Sequence, residues 1–568
     1  MEPIISFQHY GFQYYTQSEP TLHDICLDIY PGEKIVLVGP SGSGKSTLGC
    51  CINGLIPFAY KGESTGSLRV DGLEPKKASL FELSKKVGTV LQDSDGQFIG
   101  LNVGEDVAFA LENDNVPVKD MHERVRQIAA MVDMDQLLES NPFELSGGQK
   151  QRVSLAGVLI DDVDILLFDE PLANLDPKTA QKAIEMIDEI SRRGKTVLII
   201  EHRLEDVLHC PADRLVVMGD GRILMDDTPD KVLASSILIE HGIREPLYLT
   251  ACKYAGVQVS ADMKPASLDT FDTQACRERL HRWFEANLPV REAVNDKPLL
   301  EVKDVCFSYD GKRQILNHIN ACVHEGEMLS IVGKNGAGKS TLAKVIVGFE
   351  EPDEGAVLLK GEDLKPYSIS ERARFTGIVL QNPNQMISKN LIYDEIALGL
   401  RIRQLPEAEI EEKVTKVLKI CGLSEFRKWP ISALSYGQKK RVTIASILVL
   451  NPEILILDEP TAGQDYAHYS DIMEFLKTLN ENGQTIILIT HDMHLMLEYT
   501  ERAIVLADSE KIADEEAWKV LCDPALADRA NLKETSLFNL AQKTGFEDPL
   551  AFVECFIRYD RQVRNHEA

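Results

Sequence analysis

The nine residues Gly39-Pro40-Ser41-Gly42-Ser43-Gly44-Lys45-Ser46-Thr47 follow the apolar run Ile35-Val36-Leu37-Val38. Far downstream, Gly333-Lys334-Asn335-Gly336-Ala337-Gly338-Lys339-Ser340-Thr341 follow Leu329-Ser330-Ile331-Val332. Each reads as a buried strand feeding a glycine loop that opens a helix. Glycines at this spacing let backbone N–H groups wrap a polyphosphate closely, which side chains would obstruct. The helix start adds unpaired donors and a positive dipole end. The lysine adds a charge for the terminal phosphates, and Ser46 or Ser340 a hydroxyl placed to ligate magnesium. A glycine turn with no ligand would explain either loop alone, but not both. The chain carries one phosphate-binding unit twice.

The duplication can be measured. Lys45 and Lys339 are 294 residues apart, whereas Gln92 and Gln381, Ser146 and Ser435, Asp169 and Asp458, and His202 and His491 are each 289 apart. The difference places a short insertion in the first copy, within residues 56–66. A repeat this long is a duplicated domain and not a solenoid unit, whose periods run to about 50 residues. Two α/β domains with a linker between them are expected.

Each copy begins with short alternating segments, Ile4-Ile5-Ser6-Phe7 and Leu299-Leu300-Glu301-Val302, suited to antiparallel strands. Tyr14 and Tyr309 follow, placed either to stack on a nucleobase or to pack in the ordinary way. Thr89-Val90-Leu91 and Ile378-Val379-Leu380 are strands ending at Gln92 and Gln381, whose amide oxygens can ligate magnesium or hold an attacking water. Polar, helix-rich segments come next. Leu145-Ser146-Gly147-Gly148-Gln149-Lys150-Gln151-Arg152 and Leu434-Ser435-Tyr436-Gly437-Gln438-Lys439-Lys440-Arg441 then put a serine at each helix start, as a cap or an anion site. Continuous apolar strands end at Asp169-Glu170 and Asp458-Glu459, where the first acid can hold a magnesium shell and the second can act on water as a base. A further apolar strand in each copy reaches His202 or His491. A lone histidine is usually structural. Two at the shared offset are not so easily dismissed.

Composition narrows the class. The chain has 568 residues, 44% of them hydrophobic, enough for several packed domains. Its 61 Lys+Arg against 89 Asp+Glu give a net charge of −28, which argues against broad electrostatic adhesion to nucleic acid or anionic lipid. No run of about eighteen apolar residues and no basic-then-apolar N-terminus is present, so the chain is expected neither to span a membrane nor to be exported. Its 11 cysteines form no C-x-x-C pair and are expected to be reduced, mostly buried thiols in a cytosolic protein.

In residues 4–235 and 299–515 the constellation resembles the ATP-binding-cassette ATPases. The resemblance makes 39–47 and 333–341 Walker A loops, Tyr14 and Tyr309 adenine-stacking aromatics, and Gln92 and Gln381 Q-loop glutamines. Ser146, Gly147, Gly148 and Gln149, and Ser435, Gly437 and Gln438, become family signatures. Asp169 and Asp458 become Walker B aspartates, Glu170 and Glu459 catalytic glutamates, Asp176 and Asp465 D-loop aspartates, and His202 and His491 switch histidines. It implies ATP and magnesium, with Ser46, Gln92, Asp169, Ser340, Gln381 and Asp458 around the metal. It also implies two tandem P-loop NTPase domains of α/β class, each with a mostly parallel sheet, an antiparallel β subdomain and a helical subdomain. Such domains pair head to tail, so Lys45, Glu170 and His202 are expected to face Ser435 and Gly437, and Lys339, Glu459 and His491 to face Ser146, Gly147 and Gly148. Two departures stand out: Tyr436 where glycine is usual, and the D-loop Ala462-Gly463-Gln464-Asp465. Both sites are expected to hydrolyse ATP, the one facing Tyr436 more slowly.

A finer resemblance is to the energy-coupling-factor importers. Gln381-Asn382-Pro383-Asn384-Gln385 is similar to their extended Q-loop, and residues 92–98 are a looser version. Segments 244–256 and 533–545 look like a small helical appendage after each cassette. The implied organisation is cassette 1 over 1–235, appendage and linker over 236–298, cassette 2 over 299–516, and a C-terminal helical appendage over 517–568. The implied partners are a transmembrane coupling protein and a small membrane substrate-binding protein, with the chain peripheral on the cytoplasmic face of a bacterial or archaeal membrane and no nucleic acid bound. The implied cargo is a vitamin, a vitamin precursor or a transition-metal ion. The competing expectations are a soluble tandem cassette protein acting on ribosomes or DNA, and a fused sugar-type or peptide-type importer ATPase.

Overall fold

A computed structural model describes residues 2–91, 94–145, 147–173, 175–288, 297–461 and 464–567. It divides into two compact units, Met1–Leu280 with Asp465–Ala467, and His281–Gln464 with His468–Ala568. In the first unit the apolar runs form a six-stranded sheet, in the order Val87–Val90, Ile165–Asp169, Thr196–Ile200, Lys34–Val38, Arg214–Gly219, Arg222–Asp227. The first five strands are parallel and the last returns as an antiparallel hairpin. These strands lack polar alternation because both faces of the sheet are covered, as parallel sheets require. The register aligns Leu37 and Asp169 with Ile200. The glycine loop, the carboxylate pair and His202 therefore leave the sheet at one edge, the C-terminal ends of the strands, where sites in open α/β sheets form.

A three-stranded antiparallel sheet, Leu22–Ile29, Ile5–Tyr14 and Gly62–Val70, lays its inward Ile5, Phe7, Phe12, Leu22 and Leu68 against the same core as Leu48, Ile52 and Leu167. The helix after the glycine loop, Lys45–Ile52, is thus held by apolar residues of both sheets. Helices Val103–Asn113, Val118–Met131 and Gly147–Leu159 form the helical part, the first capped by the Asn102 side chain on the Glu105 N–H.

The second unit repeats the plan. Its six-stranded sheet runs Thr376–Val379, Ile454–Asp458, Thr485–Ile489, Met328–Gly333, Arg502–Ala507, Glu510–Glu516, again with only the last strand antiparallel. Its antiparallel sheet runs Leu316–His324, Pro298–Phe307, Glu354–Leu359, Glu362–Asp363. Helices Ile392–Ile402, Glu407–Ile420 and Tyr436–Leu448 share a core of Ile396, Leu400, Val414, Leu418, Val442 and Ala445.

One detail is inverted between the copies. At the bulge of the first antiparallel sheet His9 Nδ1 lies 2.8 Å from Asp24 Oδ1. At the matching bulge of the second the partners are exchanged, with His318 Nδ1 2.9 Å from Asp304 Oδ1. All four residues have φ between +48° and +52°.

Both units carry helical appendages. In the first, the N–H of Leu247, opening the helix Leu247–Tyr254, donates to Glu205 Oε2 at 2.9 Å, beside the turn that follows His202. In the second, Ser536–Lys543 and Pro549–Glu567 pack with the end of helix Gln274–Ala286. There His281 stacks on Phe546 at 4.0 Å between ring centres, and Trp283 and Phe284 meet Phe552 edge-on or tilted. Arg561 donates to Leu497 O and Thr500 O, and Arg564 to Glu498, all on or next to the helix Met493–Tyr499 that follows His491. The cysteines are all free thiols. Among the described residues no helix is long and apolar enough to cross a membrane.

Candidate nucleotide site

Steric needs dictate the glycine loops. A Cβ on Gly39 would lie 2.4 Å from Met218 O, and one on Gly333 only 1.9 Å from Leu506 O. Gly42, Gly44, Gly336 and Gly338 have φ between +78° and +97°, the left-handed region that side chains disfavour. Ser41, Gly42, Asn335 and Gly336 are exposed at the rims, while Thr47 and Thr341 are buried one turn into the helices. Lys45 folds back so that Nζ donates to Gly39 O at 2.8 Å and Pro40 O at 2.9 Å. Lys339 does the same with Gly333 O at 2.8 Å and Lys334 O at 3.1 Å. Burial lowers the Lys45 ammonium to about 8, while the nearby Glu170 and Asp169 carboxylates pull it back up.

Facing each loop is the carboxylate pair. The exposed Ser46 hydroxyl donates to Asp169 Oδ1 at 3.2 Å, and Ser340 likewise hydrogen-bonds Asp458. Burial, reinforced by the adjoining Glu170, pushes the Asp169 carboxyl up to about 6, against the pull of Ser46, Lys45 and His202. Asp458 is raised too, mainly by burial. Glu170 and Glu459 are each the first residue past their strand, at φ +51° and +46°. Their N–H groups still donate to Ile200 O and Ile489 O at 2.9 Å, which anchors the bend. His202 Nε2 lies 2.8 Å from Glu170 Oε1; in the second unit it is Nδ1 of His491 that lies 2.7 Å from Glu459 Oε1. In both units lysine, serine, aspartate, glutamate and histidine are brought together.

The aromatics are partly engaged. The Tyr14 hydroxyl is 3.1 Å from Thr47 Oγ1, and its ring meets Phe12 and, from the first copy's insertion, Tyr60 edge-on. The Tyr309 hydroxyl is 3.4 Å from Thr341 Oγ1, with Lys344 5.9 Å from the ring centre. Ser435 caps the helix Tyr436–Leu448, accepting the Gln438 N–H while Gln438 Oε1 accepts the Ser435 N–H at 3.0 Å; Gly437 is buried in its first turn. Gly147, Gly148 and Gln149 open the helix Gly147–Leu159. Asp176 caps the helix Pro177–Arg192 through the Thr179 N–H. Gln381 is exposed just past its strand. Gln92, Ser146, Ala462, Gly463 and the side chain of Tyr436 lie outside what is described.

Two residues with no assigned role in the sequence reading prove central. Glu201, 3% exposed, accepts the N–H groups of Leu172, His202 and Arg203, so one carboxylate pins the turn that carries His202 and the turn after Glu170. The signal was an acid closing an apolar strand; the second copy has Thr490 there. Lys440, 1% exposed, donates to Leu380 O at 2.9 Å and Gln381 O at 2.8 Å. Burial lowers it to about 8, offset by Asp458 and Glu459. Gln151 occupies the matching place in the first copy and donates to Pro171 O.

A family model described as ABC transporter matches residues 22–173 and 316–462, and one described as ATP-binding cassette cobalt transporter matches 235–307. A protein of Clostridium perfringens described as an ABC transporter ATP-binding protein is 55% identical over 564 residues, 99% of either chain. Proteins of the same description from Enterococcus faecalis and Streptococcus pneumoniae are 56% and 55% identical, covering 99% and 97% of either chain. A solved structure of cbiO1 from Clostridium perfringens, part of the ABC transporter complex cbiONQ, is 33% identical, covers 42% of this chain and 95% of its own, and superposes with a TM-score of 0.38. With cassette matches over more than half its length and relatives matched end to end, the chain belongs to the ABC transporter ATPases and carries two cassettes in one polypeptide.

Proposed function

We propose that the chain is the ATP-hydrolysing energy-coupling subunit of an importer of the energy-coupling-factor type, with a vitamin, a vitamin precursor or a transition-metal ion as cargo. The observation that carries this reading is the same five-residue constellation in both units, Lys45, Ser46, Asp169, Glu170 and His202 repeated as Lys339, Ser340, Asp458, Glu459 and His491. On this reading Gly39–Thr47 and Gly333–Thr341 cradle the phosphates and the lysines take the terminal charge. Glu170 and Glu459 accept a proton from the attacking water, each oriented by its histidine.

The donor set suits magnesium. A hydroxyl and a buried carboxylate are hard oxygen ligands, and a bound cation would offset the burial and the adjoining Glu170 that raise the Asp169 carboxyl. Ser46 with Asp169, and Ser340 with Asp458, would hold the ion, with Gln92 and Gln381 completing its shell. When bound it neutralises charge developing on the transferred phosphoryl group.

An apolar rim supports a membrane partner. Val103 and Gly104 donate to Ser140 O and Leu138 O, which draws the loop before helix Val103–Asn113 beside Phe143. Ile99, Leu101 and Phe143 there are 65%, 84% and 56% exposed. Grouped exposed apolar residues of this kind mark contact surfaces. The cobalt-transporter family match over 235–307 supports the metal-ion end of the cargo range.

The test is co-purification of the chain from detergent-solubilised membranes together with ATPase assays. Recovery with two hydrophobic membrane proteins, one small, is expected; recovery with ribosomes instead would overturn the importer reading. Glu170→Gln and Glu459→Gln should each lower ATPase and together abolish it. Equal residual rates in the two single variants would remove the asymmetry expected from Tyr436.

A further inference from the structure

Lys440 sits in the second turn of helix Tyr436–Leu448, whose cap is Ser435, and it is almost wholly buried. A buried ammonium is expensive unless its donors are met. Here they are met by two consecutive carbonyls, Leu380 O and Gln381 O, directly after the strand Thr376–Val379. Consecutive carbonyls of an extended strand point to opposite sides. Convergence of both on one nitrogen therefore fixes the bend at which the strand ends and the Gln381 loop begins. The same side chain ties that bend to the helix that Ser435 opens, in the field of Asp458 and Glu459. The first copy is wired differently. At the matching position Gln151 donates to Pro171 O, next to Glu170.

We propose that Lys440 is a positioning residue of the second ATP site: it holds the backbone at Leu380–Gln381 so that the Gln381 side chain is presented to the reaction, where the first cassette has Gln151 in place of the lysine. The proposal rests on the ATPase reading above. Lys440 places an ammonium in the second cassette where the first has a neutral amide, a difference separate from Tyr436.

The experiment combines hydrogen exchange with site-resolved turnover in the full chain. In a Glu170→Gln background, where the second site alone turns over, Lys440→Met should lower kcat at least about tenfold, because it removes both charge-assisted hydrogen bonds that hold the bend before Gln381. KM and the affinity for a fluorescent ATP analogue should stay within about twofold. Exchange at the amides of residues 382–388 should rise in step. Lys440→Arg, which keeps charge and donors, should restore both readouts. In a Glu459→Gln background the same Lys440→Met change should lower turnover clearly less than in the Glu170→Gln background, because the first site would feel the lost tether only through the helix that Ser435 opens. Lys440→Gln, the residue of the first copy, makes the same comparison should the methionine variant fail to fold. Unchanged exchange, or a loose loop with undiminished kcat, or equal losses at both sites, would overturn the proposal. Absence of any turnover in Glu170→Gln alone would instead count against the two-site ATPase reading, while the exchange arm still decides the tether.

Discussion

Neutralising Asp169 should stabilise the nucleotide-free protein even as it abolishes turnover. The carboxyl is pushed from an ordinary 3.8 to about 6, chiefly by burial and then by Glu170. A carboxyl held that much higher in the folded state corresponds to about 3 kcal/mol, at roughly 1.4 kcal/mol per pH unit. The sign runs against stability. Below about pH 4 the side chain is protonated folded or unfolded and costs nothing. Between about 4 and 6 the unfolded chain releases the proton while the folded chain keeps it, so stability falls. Above 6 both forms are ionised and the penalty is constant. Asp169→Asn removes it. For a unit of this size 1 kcal/mol moves Tm by roughly 2 °C, so the variant should melt up to about 6 °C higher at pH 8 without magnesium or nucleotide. Scanning fluorimetry across pH 4–8 measures this, with the gap opening between 4 and 6 and staying flat above. Magnesium with ATP should then raise the melting point of the wild type and not of the variant. A variant that melts no higher than wild type at pH 8, or a gap that grows as pH falls, would refute the account.

Other outcomes follow from the same geometry. Gly333→Ala forces a Cβ against the Leu506 carbonyl and should cost more than about 2 kcal/mol, whereas Gly336→Ala meets no atom within 4 Å and should cost only about 1 for its left-handed backbone; urea melts separate the two. Glu201→Ala strips the acceptor from three N–H groups and should destabilise the first unit by about 2–3 kcal/mol. Measured in a Glu459→Gln background, the same change should lower first-site ATPase more than about tenfold. Phe552→Ala empties a fully buried site between Trp283, Phe284 and Phe546, costing about 3–5 kcal/mol, and should shift tryptophan emission.

The framework was legible because its signals are local and doubled. Apolar runs without alternation marked the covered parallel strands, alternating Ile5 and Phe7 marked the antiparallel sheet, and loops needing glycine announced themselves at Gly39 and Gly333. What escaped depends on partners far away in sequence. Glu201 reads as one more acid until its carboxylate is seen holding three backbone amides. Lys440 reads as a solvated helix lysine, since nothing in its neighbours shows that Leu380 O and Gln381 O converge on it. Nor does helix Gln274–Ala286 advertise that its His281, Trp283 and Phe284 pack on Phe546 and Phe552, more than 260 residues on. In each case an amphipathic or charged residue has several allowed fates, and only long-range packing selects one.

The exchanged pair at the two bulges bears on how a duplicated chain avoids mispairing as it folds. The two antiparallel sheets share one plan, so a mispaired chain would join the strand Ile5–Tyr14 to Leu316–His324, or Pro298–Phe307 to Leu22–Ile29. Such a hybrid would set His9 against His318 and Asp304 against Asp24, two histidines at one bulge and two like charges at the other, where each native sheet has one of each. A contact worth little to either finished sheet would thereby serve as a label that distinguishes the halves, a small bias toward self over sibling while the sheets form.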